Sequence, residues 1–501
     1  MKKLLGLAAF TLLLAPAARA TWSVVVVNTK TREVCVAGAT CIPSIGLKNK
    51  LAVVVVGKGG AAAQSQIDNS GQNRAYIWNG LLGGTPPAQI IQELALLDGN
   101  HQTRQYGIVS MTEPPATFTG SLAGLARIGV TGEDGDVRYS IQGNVLAGDA
   151  VVTAAEIALL TTPGDLSQRA LAAMEAARAL GGDGRCSCQT GAPDSCGTPP
   201  PNFVYSSYTS FFVLARMGDS DGNCGPGTNG CANGTYFCDL RAISFSGGPE
   251  PVELLERKYD AWRHDKLGIA DHLLSRVEAS AQRLVADGVS SLTVDVQLND
   301  IDGNPVTDPA NQLHVAATTG DSASVGTVTN HGGGHYSFPV VASTHSGTFT
   351  LQFSVTYQAL DAILLWPRLE IQVDALSELH SGFHSVSATS GALVPFTLNL
   401  GAAHASAGYH VLGSASGTVP GIVFQGQAVP LNCDTLLRAS VGQANNLRFQ
   451  GTLGVLDASG RAEARFVASP GLMQFYVGRR MDWAAVLPNH VTNVVGFGIV
   501  P

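Results

Sequence analysis

Ala18-Arg19-Ala20-Thr21-Trp22-Ser23-Val24-Val25-Val26-Val27-Asn28 is the stretch on which the reading of this chain turns. Its first three residues close an export signal. Lys2 and Lys3 give a positive start, Leu4 to Leu14 is an apolar run, and Ala18 and Ala20 are the small residues a signal peptidase requires. The apolar run is shorter than the ~20 residues that span a bilayer as a helix. Cleavage after Ala20 is therefore expected, with Thr21 as the first residue of the mature protein. No cysteine follows the cut, which argues against a lipid anchor there. The remainder of the stretch is β-branched and reads as a strand. The expected location is the periplasm or the cell exterior, with no membrane span.

The bulk properties agree with export. The 501 residues exceed one ordinary domain; only 14% are charged and 58 are glycine. A net charge of −8 without Lys/Arg clusters argues against nucleic acid or an anionic membrane as partner. Eight of the nine cysteines lie between Cys35 and Cys238, and Cys433 stands apart. In an oxidising compartment the set reads as a disulfide framework, with connectivity open. Cys186-Ser187-Cys188 lacks the paired spacing of zinc sites. Cys41 is read as paired with Cys35 or simply buried, rather than as a free nucleophile. Asp219-Ser220-Asp221-Gly222-Asn223 starts like a calcium loop, but Gly230 stands where the closing glutamate belongs. His101, His264 and His272 have no ligand spacing and read as surface residues. No metal or cofactor is expected.

Along the chain, residues 21–268 alternate short strands and amphipathic helices, the pattern of a layered α+β domain. Thr21–Asn28 and Glu33–Ala39 read as a hairpin. Leu51–Val56, Gln105–Met111, Arg138–Leu146 and Tyr208–Arg216 read as further strands. Pro86–Leu97 and Glu250–Arg263 read as helices, as does the segment around Leu166, Ala170, Met174 and Ala177, stopping at Gly181-Gly182. Residues 277–358 form an expected immunoglobulin-like β-sandwich, with turn signal Asp300-Ile301-Asp302-Gly303-Asn304-Pro305. Residues 366–501 read as a second all-β module with no catalytic constellation.

Several segments of the first region, in order, resemble the family called domain of unknown function 1028, which is grouped by fold with the N-terminal-nucleophile (Ntn) hydrolases. They are Thr21-Trp22-Ser23-Val24, Ala62-Ala63-Gln64-Ser65, Arg104-Gln105-Tyr106-Gly107, Tyr139-Ser140-Ile141-Gln142-Gly143-Asn144-Val145-Leu146, Gly181-Gly182-Asp183 and Asp239-Leu240-Arg241 with Pro249-Glu250-Pro251. The resemblance implies an Ntn-hydrolase-like αββα sandwich with a cysteine-rich insertion at about 184–238. The family often carries a basic residue just after its second strand; here Thr40-Cys41-Ile42 takes that place. The middle region is similar to invasin-type immunoglobulin-like modules, on Ala286-Asp287-Gly288 and Asp302-Gly303-Asn304-Pro305. Tyr409 to Ser414 and Leu456-Asp457 resemble a C-terminal module of unknown function in exported bacterial proteins.

The chemistry implied is amide or peptide hydrolysis. A threonine at a mature N-terminus supplies a hydroxyl nucleophile and, in its own α-amine, a base with pKa about 7.7–8.0. Thr21, Asn144 and Asp183 are the candidate catalytic residues. Gln142, Gly143 and Asn144 are read as a turn offering oxyanion donors, or else as a strand-end cap. Asp183 orients the amine or binds substrate, or else serves as a turn or cap residue. Gln64, Ser65, Gln142 and Gly143 are candidate substrate-binding residues. The alternative is a non-catalytic surface or binding protein that keeps the fold, its β-modules contacting a cell-surface or extracellular polymer. Substrate identity and oligomeric state stay open.

Overall fold

The run Thr21–Asn28 forms β1, and its alternation sets the layers on either side. The computed structural model describes residues 21–43, 46–189, 195–225, 227–244, 247–358, 362–375 and 377–501. The export signal expected in residues 1–20 lies outside the described residues. The chain divides into two units. One holds Met1–Arg276, Gln297–His314 and Phe353–Pro367; the other holds Val277–Val296, Val315–Gln352 and Arg368–Pro501.

In the first unit, β1 sits between β2 (Val34–Thr40) and β8 (Val137–Asn144) in an antiparallel sheet. β7 (Ile128–Asp134) flanks β8, and β9 (Thr209–Ala215) and β10 (Cys238–Ile243) continue beyond β2. A second sheet runs in the order β3 (Ala52–Val55), β4 (Gly59–Ser65), β5 (Arg104–Ser110), β6 (Ala116–Thr119). Trp22, Val24 and Val26 of β1 point to one face of the first sheet. There they pack against α4 (Ala150–Thr161), α5 (Leu166–Ala179) and α7 (Pro251–His264). Val25 and Val27 point the other way and meet Val54, Ala62 and Val109 of the second sheet. The outer face of that sheet, with Ala61, Ala63, Tyr106 and Ile108, is covered by α2 (Gln72–Gly83) and α3 (Pro87–Leu97).

Most of the expected strands and helices of this region are present within one or two residues. Leu51 differs: it ends α1 (Leu47–Leu51), and the strand starts at Ala52. Helices α2 and α4 gave no usable periodicity. α2 carries Gly80, Gly83 and two asparagines, and α4 is apolar around most of its circumference, leaving Ile157 and Leu160 exposed. Gln142, Gly143 and Asn144 lie in β8 rather than in a turn, because each is held in register opposite Ser23, Trp22 and Thr21. The chain turns only afterwards, at Val145 with φ 50°.

The second unit is mostly β-sheet, but the C-terminal region expected to be all β also contains a helix, Thr435–Gly442, capped by the Asp434 side chain and burying Leu436 and Leu437. Ser291–Gln297 and His335–Ala342 alternate buried and outward residues, burying Leu292, Val294, Val296, Phe338 and Val340. Towards the C-terminus, Ala392–Asn399 pairs with Arg461–Ala468, and Gly408–Ser414 with Arg480–Leu487. Trp483 lies between Phe396 and Phe466, with ring centroids 4.9 Å from each. The mixture of an N-terminal α and β region with following β-sheet modules agrees with the sequence reading.

The two sheets of the first unit approach closely where β5 crosses β8. A Cβ built on Gly107 would sit 1.9 Å from Gln142 Oε1, inside a filled interior. Gly107→Ala should lower stability by about 1–3 kcal/mol, the usual cost of overpacking, seen as a drop in urea midpoint. Gly99→Ala, where a Cβ meets nothing within 4 Å, should leave the midpoint nearly unchanged.

Candidate functional site

Between the two sheets the layer changes character along β1. Towards Asn28 it is apolar. Towards Thr21 it holds Ser23, Gln64, Gln105, Ser140, Gln142 and Asn144, each at most 1% exposed. Buried polar groups cost free energy unless they are paired, and here they pair in one direction. Ser140 Oγ donates to Gln142 Oε1 (2.7 Å), and Gln142 Nε2 donates to Ser23 Oγ (2.5 Å). Ser23 Oγ donates to Gln64 Oε1 (2.6 Å). Gln64 Nε2 then donates to the Thr21 carbonyl (3.0 Å) and to Gln105 Oε1 (2.9 Å), and Gln105 Nε2 donates to the Gly143 carbonyl (2.9 Å). The relay ties the first residue of β1 to both sheets.

Thr21 is 2% exposed and shares the face of Ser23 and Val25. Its Oγ1 lies 3.4 Å from Thr40 Oγ1, at the last residue of β2. Arg185 Nη2 also reaches Thr40 Oγ1 at 3.4 Å. Both contacts are at the long end of the hydrogen-bond range. Asp183 holds Arg185 by two ion-pair hydrogen bonds, Nη2 to Oδ2 at 2.7 Å and Nε to Oδ1 at 3.1 Å. Fully buried, it also accepts the Cys41 N–H (2.6 Å) and caps the short helix α6 (Gly184–Ser187) through the Arg185 N–H (3.1 Å). The Cys41–Cys186 disulfide fastens that helix to the end of β2.

The sequence-predicted residues thus divide. Thr21, Asn144 and Asp183 gather at the same end of the first sheet. Asn144 stands opposite Thr21 across the β1–β8 pair, and its Nδ2 donates to the Ala123 carbonyl (3.0 Å) and Ser65 Oγ (3.3 Å). Gln64 and Gln142 are absorbed in the buried relay, Ser65 is 1% exposed, and Gly143 supplies a carbonyl to it. Thr40, Arg185 and Gln105 were not singled out as site residues in the sequence, although Thr40 and Gln105 lie in stretches compared with the family and Arg185 stands two residues after Asp183. Asp183 is both cap and ion-pair partner.

The cysteines pair as Cys41–Cys186, Cys188–Cys196 and Cys224–Cys231. Cys35, expected as one partner of Cys41, is a buried thiol on the helix-covered face of the sheet, as is Cys238. Both stand opposite Leu214, one on each side of β9, so a whole strand separates them. Asp219 and Asp221 of the calcium-like stretch spend oxygens on backbone N–H groups of Arg216, Phe237 and Val56. Among the described residues there is no metal-ligand cluster. His101 and His272 are buried, 7% and 4% exposed, rather than on the surface, because their rings pack against Phe118 and in a pocket beside Leu364.

Residues 21–192 match a family of unknown function (DUF1028). Residues 271–362 match invasin, domain 3. No curated protein matches the chain. Among solved structures, the DUF1028 protein SPO2555 from Silicibacter pomeroyi is 18% identical, over 48% of this chain and 85% of that one, with a TM-score of 0.36. The Yersinia pseudotuberculosis adhesin InvE is 14% identical over 45% and 58%, with a TM-score of 0.22. Invasin, a bacterial integrin-binding protein, is 11% identical over 58% and 46%, with a TM-score of 0.20. The chain therefore carries a DUF1028 segment followed by an invasin-type segment. This pairing and the three disulfides are consistent with an extracellular or periplasmic protein. No helix among the described residues is long and apolar enough to cross a membrane.

Gln64 is the hub of the relay beneath Thr21. Gln64→Ala leaves Ser23 without its acceptor and the Thr21 carbonyl and Gln105 without their donor. Unsatisfied buried groups cost ~1–3 kcal/mol each, so a loss of about 2–4 kcal/mol is expected by urea denaturation. A loss below about 0.5 kcal/mol would contradict the relay.

Proposed function

We propose that the DUF1028 segment is an Ntn-type hydrolase domain, an αββα sandwich whose nucleophile is Thr21 and whose substrates contain amide or peptide bonds. The reading requires an export signal in residues 1–20 and cleavage after Ala20. The observation that carries it is the link from Thr21 through Thr40 to Arg185 and Asp183. This link sets a guanidinium one hydroxyl away from the candidate nucleophile. In this reading Arg185 of α6 takes the role of the basic residue missing after β2.

The freed α-amine of Thr21 takes the proton of Oγ1 as the oxygen attacks the substrate carbonyl. A cation beside that amine disfavours its protonated form and so keeps it basic at neutral pH. The tetrahedral oxyanion needs donors; the Asn144 side-chain amide, directly across from Thr21, is the candidate, and to serve it must turn from Ser65 Oγ and the Ala123 carbonyl. The intermediate collapses by expelling the amine, which takes the proton from the α-ammonium, and leaves an ester on Thr21. Water, activated by the same amine, hydrolyses the ester and frees the acid. Burial in a packed sheet fixes the hydroxyl and favours attack by orientation. Arg185 is a positioning and electrostatic residue here, since it reaches Thr21 through Thr40. Gln64, Ser65, Gln142 and Gly143 support this end of the strand.

A second reading is a non-catalytic surface protein that keeps the fold. The invasin-type match at 271–362 favours it, with the β-modules as the binding surface.

Sequencing of the mature N-terminus and labelling with a threonine-directed β-lactone separate the two. The hydrolase reading expects a Thr21 start and a label that Thr21→Ala abolishes. It also expects Arg185→Met to slow labelling at least 10-fold, about 1.4 kcal/mol, and to shift the pH profile of labelling upward as the amine becomes more basic. A different N-terminus, or a label that survives Thr21→Ala, overturns it; a Thr21 start without any labelling favours the surface protein.

A further inference from the structure

Helix α2 starts beside a small polar cavity. Its first residue follows Gly71, where the chain turns at φ 79°. The cavity measures about 120 Å³ and lies within the first unit. That is room for about four waters at ~30 Å³ each, and well below the ~300–1,000 Å³ of sites for drug-sized ligands. The charged residues lining it are two cations, Lys50 and Arg74, and no carboxylate lines it.

Arg74 is 4% exposed. Its Nη1 donates to the carbonyls of Lys50 (2.7 Å) and Asp68 (3.1 Å). Its Nε is sealed in the protein without a partner. Nη2 also has no acceptor among the described residues, but it is not sealed. A Cβ built on Gly71 would come within 3.3 Å of it, so Nη2 lies beside the cavity wall where α2 begins. A buried guanidinium with no carboxylate bonded to it is costly. Asp68 attracts it only from a distance, because its oxygens accept the N–H and Oγ–H of Ser70 (2.9 and 2.6 Å) and the Asn73 N–H (3.0 Å). Burial outweighs that attraction and pulls the Arg74 guanidinium below its usual range.

The other lining residues are held next to this group. The Lys50 carbonyl sits on Arg74 Nη1, while the half-buried Lys50 side chain has no partner among the described residues. Asn49, the residue before it, donates from Nδ2 to Asn229 Oδ1 (2.9 Å), which leaves Asn229 Nδ2 uncommitted. The wall at Asn229 is tied to β3 through the Cys231 carbonyl, which accepts the Val54 N–H (2.9 Å). Asn229, Asn49, Lys50, Arg74 and Gly71 thus follow one another round the cavity, each bonded to, adjacent in chain to, or in contact with the next.

The unspent groups at this wall are donors, and two of them are cations. The N-terminal end of α2 adds positive potential. Donors arranged round so small a volume match an anion with acceptors on every side. We propose that this cavity binds a tetrahedral oxyanion, phosphate or sulfate, free or as the terminal group of a larger molecule, with Arg74 Nη2 as its fixed contact and Lys50 as its second cation. Thr21 takes no part in it.

Isothermal titration of the full-length protein tests this, with phosphate, sulfate and acetate at one ionic strength. Phosphate or sulfate should bind at least about 10-fold more tightly than acetate. Arg74→Met should weaken the oxyanion at least about 10-fold, the loss expected of one hydrogen bond between charged groups. Should that variant fail to fold, Lys50→Met decides, with a loss of at least about 3-fold, as for a partly exposed ion pair. Lys30→Met, at an exposed lysine outside the cavity, should leave the affinity unchanged. Phenyl phosphate separates the two sources: affinity within about 10-fold of phosphate assigns a terminal group, and weaker binding assigns the free ion. No binding of either oxyanion, acetate bound as tightly, unchanged affinity in the deciding variant, or an equal loss in Lys30→Met each overturns the proposal.

Discussion

The first unit depends on how its two sheets meet. One half of their contact is ordinary apolar packing of valines and alanines. The other half is a hydrogen-bonded relay of serine and glutamine side chains, and it fits only because Gly107 lets the Gln142 amide lie flat against β5. Such a layer is costly to desolvate and unforgiving if any member is missing. Its return is specificity. An apolar interface tolerates sliding, whereas amides that must match donor to acceptor fix the register of β1 against β4, β5 and β8. The first residue of β1 is the one that this fixed register holds in place.

That arrangement was legible in the sequence only in part. Strands β1, β2, β8 and β9 of the first sheet and the helices α3, α5 and α7 showed themselves by β-branched runs, apolar periodicity and the Gly181-Gly182 stop, whereas the sheet's outer strands β7 and β10 did not. The relay could not be read in the same way, because its meaning is relational. Gln64, Gln105 and Gln142 look like three unconnected polar residues until the sheets are stacked. Gln142 to Asn144 suggested a turn by composition, and register overrode composition. Helix α4 hid because apolar residues circle it. The cysteines drew attention to a framework, but the pairing of Cys41 joins residues 145 positions apart, which no local pattern encodes. His272 was read as a surface residue for the same reason: its environment comes from Leu364 and Arg216, distant in sequence.

The Cys41–Cys186 link has a consequence for the site as well as for stability. In the chain-entropy account, closing so long a loop is worth about 5 kcal/mol. More specifically, it pins the segment carrying Asp183 and Arg185 to the last turn of chain after β2. The Asp183 carboxylate reinforces the same junction by accepting the Cys41 N–H. A long, flexible arginine would otherwise lose ~2 kcal/mol of side-chain entropy on being held at Thr40. Here the backbone is already fixed and two ion-pair hydrogen bonds hold the head group. The disulfide and the Asp183 hydrogen bonds together hold the cation at this end of the sheet.

The two ends of β2 solve the burial of charge differently. At the Thr40 end one arginine meets one aspartate, both beside neutral hydroxyls, and the guanidinium keeps part of its surface in water. At the Glu33 end one arginine meets two carboxylates, nearly all of it buried. A buried excess of negative charge is unstable by itself, and burial accordingly raises the Glu33 carboxyl above its usual range despite Arg216. Stacking on Phe237, 3.8 Å away, adds attraction to the buried guanidinium. β2 is buried along its whole length, and at about 3.3 Å per residue it holds the two ends about 20 Å apart. No charged partner is shared between them. Under the hydrolase reading the first end needs a nucleophile freed at the start of β1, whereas the pairing of Arg216 with Glu33 and Asp271 at the second is complete in the folded chain. Under that reading, loss of chemistry at Thr21 would leave the ion pairs of Arg216 as they are, since none of them involves β1.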